Sequence, residues 1–137
     1  MSADAAWPLQ KGILLHLKSC KSLKQHLGDP PRIVEQTEKA EVYPKLVLGD
    51  SFAKAWSSAT FEGQEHDLRL NLWTADGGSA TAKKIAGAVI DRLHDADFKV
   101  KGHALVDLQF ASSETRYLEE KGMFHTHLAF KALTVSD

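Results

Sequence analysis

His125-Thr126-His127 is the most suggestive pair of side chains in this sequence. On a strand, residues two apart face the same side, so both imidazoles could hold one metal ion. His66 and His103 could add ligands to such a site. No further ligand stands at a diagnostic spacing, however, and paired histidines on the solvent side of a strand are common. The spacing therefore favours surface or interface histidines over a metal centre. His16 and Cys20, one helical turn apart, have the types of a base and a nucleophile. Cys20 falls on the apolar stripe of its segment, where a cysteine behaves as a small hydrophobe. Asp91 and Asp95 also stand one turn apart, but Arg92 and His94 mark that side as solvated, not as a buried acid–base pair.

Asp76-Gly77-Gly78-Ser79 is rich in glycine but lacks the Lys-Ser/Thr ending of a P-loop and the GxGxxG spacing of a dinucleotide turn. It reads as a turn with Ser79 capping a helix. Ser57-Ser58 and Ser112-Ser113-Glu114 match no nucleophile motif. The residue pattern thus predicts no enzyme, with no catalytic, cofactor-binding or metal set. What remains are aromatics. Trp73 lies on the face of its strand opposite the leucines, where it either packs under a second layer or marks an interface. Phe52, Trp56 and Phe61 are aromatic anchors in a segment of mixed periodicity, and Trp7 is expected to pack at the start of the first helix.

The elements that must position these residues follow from apolar spacing. Pro8 belongs in a first helical turn, with Asp4 as a cap upstream. Leu9, Ile13, Leu14, Leu17, Cys20 and Leu23 then recur at threes and fours, predicting one helix over residues 7–24. Gly28-Asp29-Pro30-Pro31 ends it. Arg32 to Glu35 predicts a short strand, and residues 36–41 a polar loop. Tyr43-Pro44-Lys45-Leu46-Val47-Leu48-Gly49 predicts a strand that residues 51–61 extend. Residues 65–74 alternate most cleanly, with Leu68, Leu70 and Leu72 opposed to Asp67, Arg69, Asn71 and Trp73. Together these two runs predict a long hairpin.

Ala82, Ile85, Ala86, Val89, Ile90 and Leu93 form the stripe of a second helix over residues 80–95. Two strands close the chain. Val106, Leu108 and Phe110 point inward in the first. Phe124, Leu128 and Phe130 do so in the second, with His125, His127 and Lys131 outward. The order α-β-β-β-α-β-β, with strands in adjacent runs, predicts an α+β fold: a mostly antiparallel sheet of about four to five strands with two helices on one face.

Composition bounds the function classes. The length suits one domain spanning residues 1–137. Hydrophobic residues at 43% supply a core without metals or disulfides, and the single cysteine allows no intramolecular disulfide. A formal net charge of -1 gives no general attraction to nucleic acid or anionic membrane. The early Asp4 and the lack of a long apolar run predict neither a signal peptide nor a membrane span, and hence synthesis in a cytoplasm.

Taken in order, several of these segments resemble one family: the small tail completion proteins of long-tailed bacteriophages and of phage-derived gene transfer agents, also called tail terminators or head–tail joining proteins. The resemblance runs through Tyr43 to Gly49, Trp56, Glu62-Gly63-Gln64-Glu65-His66, Leu70-Asn71-Leu72-Trp73-Thr74, and the helix from Ile85-Ala86 to Leu93-His94-Asp95. It continues through Phe110 and His127-Leu128-Ala129-Phe130-Lys131-Ala132-Leu133, so it spans most of residues 10–134. Order and spacing carry it, not any one motif.

The resemblance implies a structural protein without catalytic residues or cofactor. It implies a ring, typically hexameric, on the head-proximal end of the tail tube, which ends tube polymerisation and meets the head–tail connector. The partners implied are other copies of the chain, the tail tube protein and the connector or stopper protein. DNA transits the lumen without specific binding, and no membrane is involved. The site is a particle's head–tail junction. Within that frame Trp56, Phe61 and Trp73 are the expected subunit-interface residues. A head-side stopper or adaptor is the alternative, and a small His-metal enzyme a more distant one.

Overall fold

Four-residue spacing places Leu9, Ile13 and Leu17 on one side of the first helix, and all three are buried. This is α1, Ala6–Lys18, in the computed structural model, which describes residues 4–36 and 41–137. Pro8 lies in its first turn, and Asp4 Oδ1 accepts a hydrogen bond from the Ala6 N–H at 3.0 Å. The single helix predicted over residues 7–24 is in fact two. Ser19 Oγ donates to the His16 carbonyl at 3.0 Å, and Cys20 is extended (φ -82°, ψ 120°). A serine hydroxyl competing for a helix carbonyl favours such a break. It re-aims α2, Lys21–Leu27, so that both Leu23 and Leu27 are fully buried.

The remaining elements are β1 Ile33–Glu35, β2 Lys45–Ala55, β3 Gly63–Thr74, α3 Gly78–Leu93, β4 His103–Leu118 and β5 Met123–Ser136. The five strands form one sheet in the order β1-β2-β3-β5-β4. Every neighbouring pair is antiparallel except β1–β2, which is parallel. The fold is α+β, as the pattern predicts, with three helices among the described residues instead of two. Residues 37–40 of the predicted polar loop lie outside the described residues. The helices pack on one face, where Phe130, Leu72, Leu46, Leu108 and Leu128 meet Leu17, Leu23, Ile85, Val89 and Leu93. Among the described residues the other face carries no helix.

Three local details depart from the sequence pattern. Gly77, not Ser79, caps α3; its φ of 86° is a left-handed conformation that glycine adopts without penalty. Trp7 does not pack on the first helix but stands 61% exposed on its outer side, with Leu15 two turns on at 60%. Val106 is also exposed, because the register with β5 skips it between Leu105 and Asp107. This β-bulge shifts the phase, so that Leu105, not Val106, joins Leu108 and Phe110 against the core.

The bulge makes a direct stability test. Leu108→Ala should cost about 2–5 kcal/mol in urea denaturation, whereas Val106→Ala should stay within about 0.5 kcal/mol. The reverse order would put Val106 back in the core.

Candidate functional site

The register of β3 with β5 decides which side chains share the helix-free face. Trp73 pairs with His125, Asn71 with His127, Arg69 with Ala129 and Asp67 with Lys131. Cross-strand partners project to the same side. Trp73 and His125 stack with ring centroids 4.2 Å apart and planes 16° from parallel. His125 Nε2–H donates to Asn71 Oδ1 at 2.7 Å, since an amide oxygen can only accept. The Lys121 ammonium stands 5.4 Å from the centre of the Trp73 ring. These groups floor an open groove of about 450 Å³ that Tyr43, Lys45 and Met123 continue.

Beside it, Asn71, Glu114, Arg116, His125 and His127 line a second hollow of about 340 Å³. Opposite charges alternate across this face. Lys54 meets Glu65 at 3.4 Å, Arg69 meets Asp67 at 2.9 Å, and Arg116 meets Glu114. Such exposed pairs add little to stability, but they cancel the field of the face locally.

The four histidines do not gather at one point. His125 and His127 project from the helix-free side. His66 faces the helices, buried, with Nε2 2.9 Å from Thr134 Oγ1, and His103 is buried as well. Among the described residues no three His, Cys, Asp or Glu side chains gather as a cation site. His16 turns away from Cys20: its Nε2 lies 3.1 Å from the Arg92 carbonyl and its ring stacks on Phe98 at 5.0 Å. Asp91 and Asp95 do not share a helix face, because α3 ends at Leu93 and Asp95 has a φ of 58°. Asp95 instead accepts from Gln109 at 3.0 Å.

Trp56 and Phe61 do come together. Their rings lie 5.2 Å apart at 58° beyond the end of β2, where the Trp56 N–H donates to the Gly63 carbonyl at 2.8 Å. A side chain on Gly63 would collide with the Trp56 carbonyl and the Trp56 ring, so the loop is closed tightly on itself. Trp73 sits apart from this pair on the helix-free face. The sequence pattern placed Trp73 and Asn71 on the correct face but missed Lys121 and His125 as neighbours of Trp73. Phe52, expected as an aromatic anchor alongside Trp56 and Phe61, projects from β2 at 63% exposure.

Burial disfavours the charged imidazolium, and the nearby Asp4 at His66 and Glu114 at His125 offset this only in part. Burial pushes the His66 and His125 pKa values down, and His127 and Arg116 add to the effect at His125. His16 moves the same way, by burial and then by Arg92.

Fold and surface together define a small α+β module, with a helix layer on one side, an open sheet bearing charges of both signs on the other and, among the described residues, no cluster of three metal-ligating side chains. The comparisons with known proteins agree. The family model described as tail completion protein gp17 matches residues 11–135, and the chain belongs to that family. It is a structural protein, not an enzyme. A chain from the virion of a native gene transfer agent particle superposes with a TM-score of 0.87 at 27% identity, covering 98% of this chain and 100% of that one. The gp17 protein of bacteriophage SPP1 shares the fold with a TM-score of 0.57 at 20% identity, covering 93% and 89%. No curated protein matches the chain. No helix among the described residues is long and apolar enough to cross a membrane.

The histidine shifts predict a pH dependence with a definite sign. An imidazole whose pKa falls on folding binds more protons when unfolded, so its contribution is complete above about pH 6.5 and is lost as pH drops below it. Urea midpoints should therefore fall between pH 7.5 and 5, and His66→Gln should flatten that slope. An unchanged slope would remove His66 from the explanation. His127→Ala should leave assembly intact, and the purified protein should carry no stoichiometric transition metal by mass spectrometry.

Proposed function

We propose that copies of this chain, six in number, close into a ring on the head-proximal end of a phage-like tail tube. The ring ends tube polymerisation, joins the tail to the head connector or stopper, and lets DNA pass through its lumen without specific binding. The whole chain, residues 1–137, acts as one such unit at the head–tail junction. The observation that carries this reading is the match, over 98% of its length, to a chain of a gene transfer agent virion, together with family membership over residues 11–135.

Geometry supports it in two ways. The two ends of the sheet order differ, β1 at one edge and β4 at the other. A contact between unlike edges is head-to-tail, and it closes into a ring when the rotation per subunit divides the circle. The ion pairs Lys54–Glu65 and Arg69–Asp67 offset part of the positive charge of the helix-free face, and with a net charge of -1 for the chain they limit adhesion to passing DNA. Trp56 and Phe61 form an apolar knob beside the exposed end of β2, where a neighbouring subunit would cover them. Trp73 anchors the helix-free face near its opposite end, also at a subunit boundary. Interface centres are enriched in such aromatics.

Two measurements test this. Deleting the gene should give tails of uncontrolled length that stay unjoined to heads. Tails of normal length beside leaking heads would instead point to a head-side stopper. Trp56→Ala should preserve the circular dichroism spectrum and lower the yield of joined particles at least tenfold. Normal joining by that variant would exclude Trp56 as an anchor.

A further inference from the structure

Each edge of the sheet is half covered by the chain itself. At one edge β1 pairs with β2 only at Leu46, Val47 and Leu48. Residues 51–55 of β2 pair with β3 on their inner side and have no strand on the other among the described residues. At the far edge, the segment following α3 covers the first half of β4. The Asp95 N–H donates to the Leu108 carbonyl at 2.8 Å, and His94 Nδ1 accepts from the Phe110 N–H at 3.0 Å. Beyond Phe110, residues 112–118 of β4 have β5 on one side and, among the described residues, no covering strand on the other. Two bare half-edges therefore remain, at diagonally opposite corners of the sheet.

Their hydrogen-bonding phase follows from backbone alternation. The Trp56 N–H points inward to Gly63, so Ala55, Ala53 and Ser51 direct their N–H and C=O groups outward. The Leu118 carbonyl accepts from Lys121 and Gly122 within the β4–β5 turn, so Tyr117, Thr115 and Ser113 point theirs outward. Strand directions alternate from β2 through β3 and β5 to β4. A rotation that keeps strand direction thus brings β4 of one copy antiparallel to β2 of the next.

We infer that residues 112–118 of β4 pair with residues 51–55 of β2 in the next copy, joining neighbouring sheets edge to edge; this rests on the ring reading above. Setting Ala53 opposite Thr115 places Ser51 against Tyr117 and Ala55 against Ser113, which makes about six main-chain hydrogen bonds, two per outward-facing pair. On the helix-free face the same register puts Lys54 against Glu114 and Phe52 against the Arg116 guanidinium. The Lys54 and Glu114 side chains are 60% and 57% exposed in the single chain, and both remain within reach of a partner.

Charge selects this register. A slip of two residues one way sets Lys54 against Arg116, and the other way sets Lys54 against Ser112 and Phe52 against Glu114. A slip of one residue turns side chains to the wrong face. Because the bare halves are diagonal, each copy is displaced along the strand relative to the last. The strands then incline to the ring axis, as stagger requires in any closed sheet.

Cysteine cross-linking in assembled particles reads this out. In a Cys20→Ser background, Lys54→Cys with Glu114→Cys places two thiols at opposite corners of one chain, where they link only between copies. Oxidation should give a ladder of multimers on a non-reducing gel that ends at the closed ring. Lys54→Cys with Asp107→Cys, which fits an unstaggered arrangement, should give none. A ladder from the second pair alone, or no ladder in particles whose rings are visible by electron microscopy, would overturn the pairing and leave the ring standing. Absence of any ring in unsubstituted particles would remove the ring reading first. As a check that needs no cysteine, Lys54→Glu or Glu114→Lys alone should each lower particle yield at least tenfold, and the double exchange should restore it. Failure of the exchange to restore yield would count against the register.

Discussion

Pairing between β3 and β5 over the whole 12-residue length of β3 is the constraint from which the rest of the structure follows. It sets Leu68 beside Phe130, Leu70 beside Leu128 and Leu72 beside Thr126 on the face that the helices cover. By the same register Trp73 meets His125 and Asn71 meets His127 on the opposite face. A shift of one residue would exchange the two sets, burying charge and exposing leucine. With this central pair fixed, β2 and β4 add on either side, and the helices have a single apolar surface to seal. The division of labour between a sealed face and an open one is thus settled by one ladder of backbone hydrogen bonds.

Sheet edges then become the governing feature of the surface. Unpaired backbone groups along an edge invite another strand, and soluble proteins usually cover or interrupt them. This chain does both, in part. β1 and the His94-Asp95 segment cover half of each edge, while β-bulges beside Val106 and at Gly49-Asp50 interrupt the ladders. The uncovered halves carry Lys54, Glu114 and Arg116, which keep the separate chain from pairing with arbitrary strands.

Elements governed by local periodicity were legible in the sequence. The alternation of Leu68, Leu70 and Leu72, the stripe from Ala82 to Leu93 and the grouping of strands into runs led directly to an α+β sheet with one helical layer. What stayed hidden depends on backbone geometry that spacing does not encode. The threes and fours continue straight through Ser19 and Cys20, so one helix and two bent helices give the same pattern. Val106 alternates correctly with Leu108, and only the register with β5 reveals that it is skipped. Trp7 is apolar and near a helix start, yet nothing covers that side of α1 among the described residues. For the site, the face of Trp73 was readable from its own strand. Its stack on His125 and the separation of the four histidines onto two faces required the pairing of distant strands. The bare half-edges are likewise long-range features, since each is defined by where other segments stop.

Electron cryomicroscopy of a particle containing this chain tests the account most directly. The expected image is a single sixfold ring between head connector and tail tube, with like orientation in every copy and density for strands running unbroken from one subunit to the next. A chain located elsewhere in the particle, or copies related by two-fold contacts with no ring at that junction, would contradict it.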